Sequence, residues 1–362
     1  MRAAGAARGQ REVDSRALEN AASHVTRWDL DKTYLRTEFD SMRDLVRTAF
    51  ERPDEKRTHA GAGTLLREMA RAGALVHILS GSPEQMRRRL ESKLRLDGIT
   101  WDAFTLKPNL ENMLRLRFRA LRDQLGYKLP NLLDARAHAI PSRPAGPMDD
   151  TTPPKPGRET LFGDDAEADA FVYSLYADVV SGHVPERVLM EICERGRVYA
   201  DVAESVRRNA RIVEHVEAVE RILIHLERQT PPDRFRVYGV RVVPFYNYLQ
   251  AAFVVHEDGR VPAEGVLRVA LELVVQHRFD GDSLARSYQD VARRGHLRGI
   301  GIDALHRAYE ELATLGLPGM DEVARMLERL PTLSTMAKAS WVGADQRLPD
   351  YLSLVELHNP RR

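Results

Sequence analysis

Two kinds of hydrophobic pattern alternate along the chain. Short, largely apolar runs of strand length lie at 25–28, 74–79, 104–106, 160–162 and 221–226. Between them apolar residues recur at helical spacing, as in 63–71 and in 84–96, where Met86, Leu90 and Leu94 share a face. Such runs predict buried strands, and strands alternating with helices predict a parallel sheet with right-handed crossovers. The expected fold class is α/β, built on a doubly wound parallel sheet.

After the third run a helix is expected with Leu110, Met113, Leu114, Leu121 and Leu125 on one face. A second helix is expected to start near Pro130, since proline suits a first helical position. Residues 141–157 hold six prolines without periodicity, which predicts a flexible surface loop. Residues 186–217 have helical spacing, and about 184–217 reads as a helical insertion ahead of the strand at 221–226. From about Phe245 onward helical patterns dominate. The expected organisation is a flexible N-terminal extension over 1–22, an α/β domain over 23–228 and a mostly α-helical C-terminal module over 229–362.

Composition narrows the setting. With 43% hydrophobic residues and 54 Lys+Arg against 53 Asp+Glu, the 362-residue chain has ample material for a core and a net charge of +1. That balance offers no global field for nucleic acid, so no nucleic-acid partner is expected. The most apolar stretch, 237–255, is broken by Arg241, Asn247 and Gln250, so no transmembrane segment is expected. Residues 1–20 carry both acids and arginines and no apolar block of signal-peptide type, which predicts a cytoplasmic protein. The single cysteine, Cys193, allows no internal disulfide and reads as a small buried hydrophobe. Lysines number 7 in the whole chain, which makes any lysine near a cluster of acids informative.

Three polar clusters follow predicted strands directly: Asp29-Leu30-Asp31-Lys32-Thr33, Ser80-Gly81-Ser82, and Gly163-Asp164-Asp165-Ala166-Glu167-Ala168-Asp169. In open parallel sheets the carboxyl edge is where ligands bind, so the three should meet in one crevice. Several carboxylates there disfavour joint ionisation unless protons or a cation compensate. Magnesium suits them, being a hard cation that takes a few carboxylates together with phosphate oxygens. One carboxylate can attack phosphorus, and a second, two residues on and on the same side of the strand, can handle the proton. Ser80 and a lysine would hold the remaining phosphoryl oxygens.

These three segments resemble motifs of the haloacid dehalogenase (HAD) superfamily of phosphohydrolases. Residues of about 25–180 resemble more narrowly the catalytic domain of the actin-patch phosphatidate phosphatase family. Supporting segments are His59-Ala60-Gly61-Ala62-Gly63-Thr64-Leu65-Leu66, Ser80-Gly81-Ser82-Pro83, residues 98–106, and the acids Asp164 and Asp169, five apart. The resemblance implies a catalytic domain over 23–228, with Asp29 as nucleophile, Asp31 as general acid and base, and Thr33 supporting their loop. It implies phosphate binding by Ser80 and Gly81. Magnesium would be held by Asp164 with Asp165 or Asp169, by Asp29, and by the Asp31 backbone carbonyl. Lys128 occupies the place of the family's phosphate-binding lysine, with Lys107 and Lys155 as alternatives. About 45 residues separate the first two motifs, too few for a full α/β lid, which predicts an open crevice and a bulky substrate such as a phospholipid headgroup.

Other residues have plainer readings. Ser82 fits a helix N-cap completed by Gln85. Asp165 and Glu167 fit the favourable charge at a helix N-terminus. His77 and His225 fit core or strand-edge positions, and the aromatic series from Phe235 to Phe253 fits packing. The expected activity is hydrolysis of a phosphomonoester through an aspartyl-phosphate. The alternatives are a catalytically silent scaffold or phosphate-binding protein, and a phosphotransferase of the same superfamily. No GxxxxGK[ST] loop is present. The substrate and the oligomeric state are not legible.

Overall fold

In the computed structural model the chain is described over residues 24–36, 57–107, 120–138, 157–343 and 347–358. The proposed extension 1–22 and most of the proline-rich loop, including Lys155, lie outside these residues.

Six strands form one all-parallel sheet: β1 (His24–Asp29), β2 (Leu75–Pro83), β3 (Ala103–Lys107), β4 (Arg158–Asp164), β5 (Val219–His225) and β6 (Val242–Phe245). Their order is β3-β2-β1-β4-β5-β6, a Rossmann-like arrangement in which the chain reverses direction across the sheet between β1 and β4. Both faces are covered, and the strands show it residue by residue. Val76, Ile78, Phe162, Leu223, Val243 and Phe245 point into one apolar core. Leu79, Leu161, Ile222, Ile224 and Val242 point into the other. Trp28 anchors the first core, stacked 3.8 Å from Phe162 and 5.9 Å from Tyr248 between ring centroids.

Five of these strands match the predicted runs; β6 does not. It shares an apolar block with the helix that follows, α7 (Tyr248–Glu257), capped by the Asn247 side chain on Gln250 N. Because β6 pairs with β5 along Ile222↔Val242 to His225↔Phe245, the sheet continues past residue 228. The later helices also belong to its first core. Val266, Val269 and Leu273 of α8 (Ala263–His277) are buried with Leu65, Leu66 and Met69 of α1 (Ala62–Arg71). Glu272 of α8 accepts from Gly61 N at 2.9 Å and from the Thr64 hydroxyl, capping α1 from outside. Gly61 itself has φ +81°, and a Cβ there would press on Tyr248 and Val269 at 3.1 Å each. The sheet and its first core therefore include residues beyond 228, the expected boundary.

On the second face lie α3 (Ala120–Ala137), α4 (Asp169–Val180), and the predicted helical insertion, now α5 (Glu186–Arg195) and α6 (Ala200–Ile212). The expected helix start at Pro130 is also corrected. α3 runs through Pro130, which lacks the N–H that would bond four residues back. Leu129, Leu132 and Leu133 on either side are buried in the second core, and their packing carries the helix across the gap. A charged group lies within the same face. Buried Arg27 donates to both carboxylate oxygens of buried Glu159 at 2.8 and 3.0 Å, and Tyr176 adds a third bond at 2.9 Å.

The edge strand β6 offers few free main-chain groups on its outer side. Pro244 has no N–H, its carbonyl accepts from Arg294, and the Val242 N–H turns back to Gly239 O at 3.4 Å. No helix among the described residues is long and apolar enough to cross a membrane.

Candidate active site

The carboxyl ends of β1, β2 and β4 are adjacent in the sheet, so the three polar clusters meet there. Asp29 ends β1. The loop after it turns back at once, with Tyr34 and Leu35 N–H groups both reaching Leu30 O at 3.1 and 2.8 Å. Lys32 sits at φ +60° in that turn, a left-handed conformation that non-glycine residues seldom adopt. The turn gives the two aspartates different surroundings.

Asp29 faces other acids. Oxygens of Asp29, Asp164, Glu167 and Asp169 all lie within 4.8 Å of one another. Into this group projects Lys128, fully buried, with Nζ 3.4 Å from Asp29 and 3.1 Å from Glu167, and paired with Asp169. The Thr33 hydroxyl stands 3.5 Å from both Asp29 and Asp164. Asp164 ends β4, and one of its oxygens accepts from Ala166 N and Glu167 N at 2.6 and 2.9 Å. Asp169, the first residue of α4, accepts from Asp164 N at 3.1 Å. Gly163 makes that approach possible, because a Cβ there would sit 2.4 Å from an Asp169 oxygen.

Asp31 faces hydroxyls instead. Ser80 and Ser82 each donate to the same Asp31 oxygen at 2.8 Å. The serines are two apart on β2, which sends both side chains to one side. Ser82 was expected as a helix cap; the short helical turn that follows starts from Pro83 without a side-chain cap, and Ser82 serves Asp31. Gly81 between them is partly exposed, with nothing within 4 Å of the place a Cβ would occupy. Tyr127 donates to Ser80 O at 2.8 Å, which ties α3 to this strand end.

Two expected members stand elsewhere. Asp165, proposed as a metal ligand, points away: its oxygens accept from Arg228 N at 2.7 Å and Thr230 N at 2.9 Å, closing the loop after β5. Glu167, read as a helix-terminus charge, takes its place among the acids. Three residues beyond Asp164, it returns to the same side across one turn, a geometry that acid spacing alone does not distinguish from its neighbour's. Lys107 lies over the Tyr127 ring, 5.2 Å from its centroid, so Lys128 is the candidate lysine found among the acids.

Burial sets the electrostatics. Asp29 and Asp164 are held well above the usual carboxylate range by desolvation and by one another's charge with Glu167 and Asp169, and Lys128 opposes the rise. Asp169 is raised by the same desolvation against the pull of Lys128. Burial alone would lower the Lys128 ammonium, but Asp169 and Asp29 outweigh it and raise it well above the ordinary value. Three of the four acids are at most 1% exposed. The partly exposed residues bordering them are Lys32, Gly81, Asp165, Ala166 and Glu167.

Neither family models, nor curated proteins, nor solved structures yielded a match to this chain.

Proposed function

We propose that this chain is a magnesium-dependent phosphatase of HAD type, hydrolysing a phosphomonoester through an aspartyl-phosphate on Asp29. The observation that supports it most is the divergence of the two aspartates at one strand end. Asp29 lies with an ammonium and three acids, whereas Asp31 is held by two hydroxyls. Pairs of carboxyls placed in unlike environments are how acid and nucleophile roles separate.

In this reading an Asp29 oxygen attacks phosphorus, the phosphorus–alkoxide bond breaks, and Asp31 delivers its proton to the leaving oxygen. Asp31 then takes a proton from water as that water cleaves the acyl phosphate. Ser80 and Ser82 hold the Asp31 carboxyl in place for both transfers. Lys128 offsets charge on the transferring group.

The residues fit a hard divalent cation. Asp29 Oδ1 is buried with no hydrogen-bond partner, and one ammonium faces four acids. Asp29, Asp164, Glu167 or Asp169, and the Asp31 carbonyl would hold magnesium, which would supply neutralising charge and orient phosphate oxygens.

The test is a panel of phosphorylated lipids, sugars, nucleotides and peptides, assayed with and without magnesium. Metal-dependent phosphate release that disappears in Asp29→Asn is expected. No release on any member with magnesium present would favour the silent-scaffold reading. Transfer of the phosphoryl group to an added alcohol, in place of release, would favour a phosphotransferase.

A further inference from the structure

We propose that His59, His225 and Glu227 form a second metal site, selective for a first-row transition ion such as zinc and separate from the acidic cluster. His59 lies just ahead of α1, His225 is the last residue of β5, and Glu227 follows two residues later. One donor atom from each lies within 4.8 Å of the other two. His59 Nε2 is 3.6 Å and His225 Nδ1 is 3.9 Å from a single Glu227 oxygen. Ligands of a tetrahedral zinc at about 2.0–2.1 Å stand roughly 3.4 Å apart, so closure requires shifts that bring all three donors closer. Glu227, 36% exposed at its side chain, is free to make them.

The second observation is an unmet need. His59 is 5% exposed, yet its Nε2 is buried without a hydrogen-bond partner. A buried imidazole nitrogen aimed at another imidazole and a carboxylate, and bonded to neither, is costly unless something sits between them. Neutral imidazole with one carboxylate favours zinc, cobalt or iron, whereas magnesium favours the all-oxygen set at Asp29 and Asp164.

The surroundings suit a metal. The Phe245 and Tyr248 rings lie 5.4 and 5.5 Å from the His225 ring and shield it from water. His225 Nδ1 lies 3.4 Å from the Lys32 carbonyl, which can only accept, so an ion on that nitrogen replaces this contact with the turn that separates Asp29 from Asp31. Arg36 is an opposing cation, close enough to act on both histidines and on Glu227.

The experiment reads metal binding directly and so stands whether or not the phosphatase reading does. Chelator-stripped full-length protein is titrated with zinc sulfate in excess magnesium, and bound zinc is measured by equilibrium dialysis with elemental analysis. Cobalt(II) is titrated in parallel and followed by its visible absorption. One saturable equivalent is expected. Loss of a group that merely orients a ligand costs about 10- to 100-fold in affinity, so Glu227→Gln and His225→Ala should each weaken zinc at least about tenfold. Glu227→Gln is partly exposed and keeps the fold intact. Asp164→Asn should bind zinc like the wild type, and Arg36→Ala should bind it more tightly. Absence of saturable binding overturns the proposal. So does zinc that survives Glu227→Gln and His225→Ala but is lost in Asp164→Asn, which would put the ion among the acids.

Discussion

Lys128→Met provides the sharpest measure of how the acidic cluster is held together. At an effective dielectric constant of about 20, unit charges 3.4 Å apart, as between Lys128 and Asp29, attract by roughly 5 kcal/mol. Two carboxylates 4.8 Å apart, the upper limit within the cluster, repel by roughly 3.5 kcal/mol. Lys128 contacts three of the four acids, so its removal leaves their mutual repulsion unopposed. Removing one partner of a buried ion pair costs about 3–5 kcal/mol. With an unfolding entropy of about 2.1 cal/mol/K per residue over 362 residues, that cost lowers Tm by roughly 4–7 °C if the chain unfolds as a unit. The loss should depend on pH in a defined direction. Asp29, Asp164 and Asp169 have raised values in the folded state, so the stability their protons contribute is complete below about pH 4 and is lost as pH rises through those raised values. Lys128 draws all three values down, so without it they rise further and the loss extends to higher pH. Thermal denaturation followed by circular dichroism in chelator, at about pH 6 and pH 8, should show a larger Tm deficit at the higher pH. Asp29→Asn added to Lys128→Met should recover part of it. A Lys128→Met Tm within about 1 °C of wild type at both pH values would refute the reasoning.

In the reaction proposed here, Asp31→Asn should retain the nucleophile but lose water activation, so mass spectrometry after substrate exposure should find one phosphoryl group on Asp29. Lys128→Ala should lower kcat/KM roughly a hundredfold, the loss of one charge-stabilising contact worth about 3 kcal/mol, while Lys107→Ala stays near wild type. Asp164→Asn should abolish the rise in Tm on adding magnesium, whereas Asp165→Asn should preserve it, because Asp165 serves Arg228 and Thr230. Glu159→Gln leaves Arg27 buried and unpaired and should cost about 3–5 kcal/mol by denaturant unfolding. Burial pushes Glu159 up, but Arg27 outweighs it and holds it near about 2, so its contribution is present above the ordinary carboxylate value and is lost as pH falls toward 2.

Strands buried on both faces announce themselves, which is why five of the six could be read from short, largely apolar runs. β6 was hidden because its four residues merge with the apolar helix at 248–257, and Pro244 argues against a strand unless the strand is at an edge. Pro130 misled for the opposite reason: local propensity marks a helix start, and burial of its leucine neighbours overrides it. Within the site, Asp29, Asp31, Ser80 and Asp164 were legible from their positions at strand ends and Asp169 from the acidic run that follows, whereas Lys128 lies inside α3 and was singled out by the resemblance. The exchange of Glu167 for Asp165, and of Ser82 from cap to Asp31 partner, turns on which way a side chain leaves a tight turn, and sequence spacing does not encode that. His59 and His225 lie far apart in the chain, and no local pattern joins them.

The outer side of β6 bears on assembly. A parallel sheet ordinarily ends in a row of unpaired donors and acceptors, a template onto which another chain can add a strand. Here the Pro244 ring removes one donor, Arg294 donates to the Pro244 carbonyl, and the Val242 N–H is bonded back to Gly239. Growth of the sheet by a further strand is therefore disfavoured at this end, and a partner that docks near β6 meets side chains more than free main-chain groups.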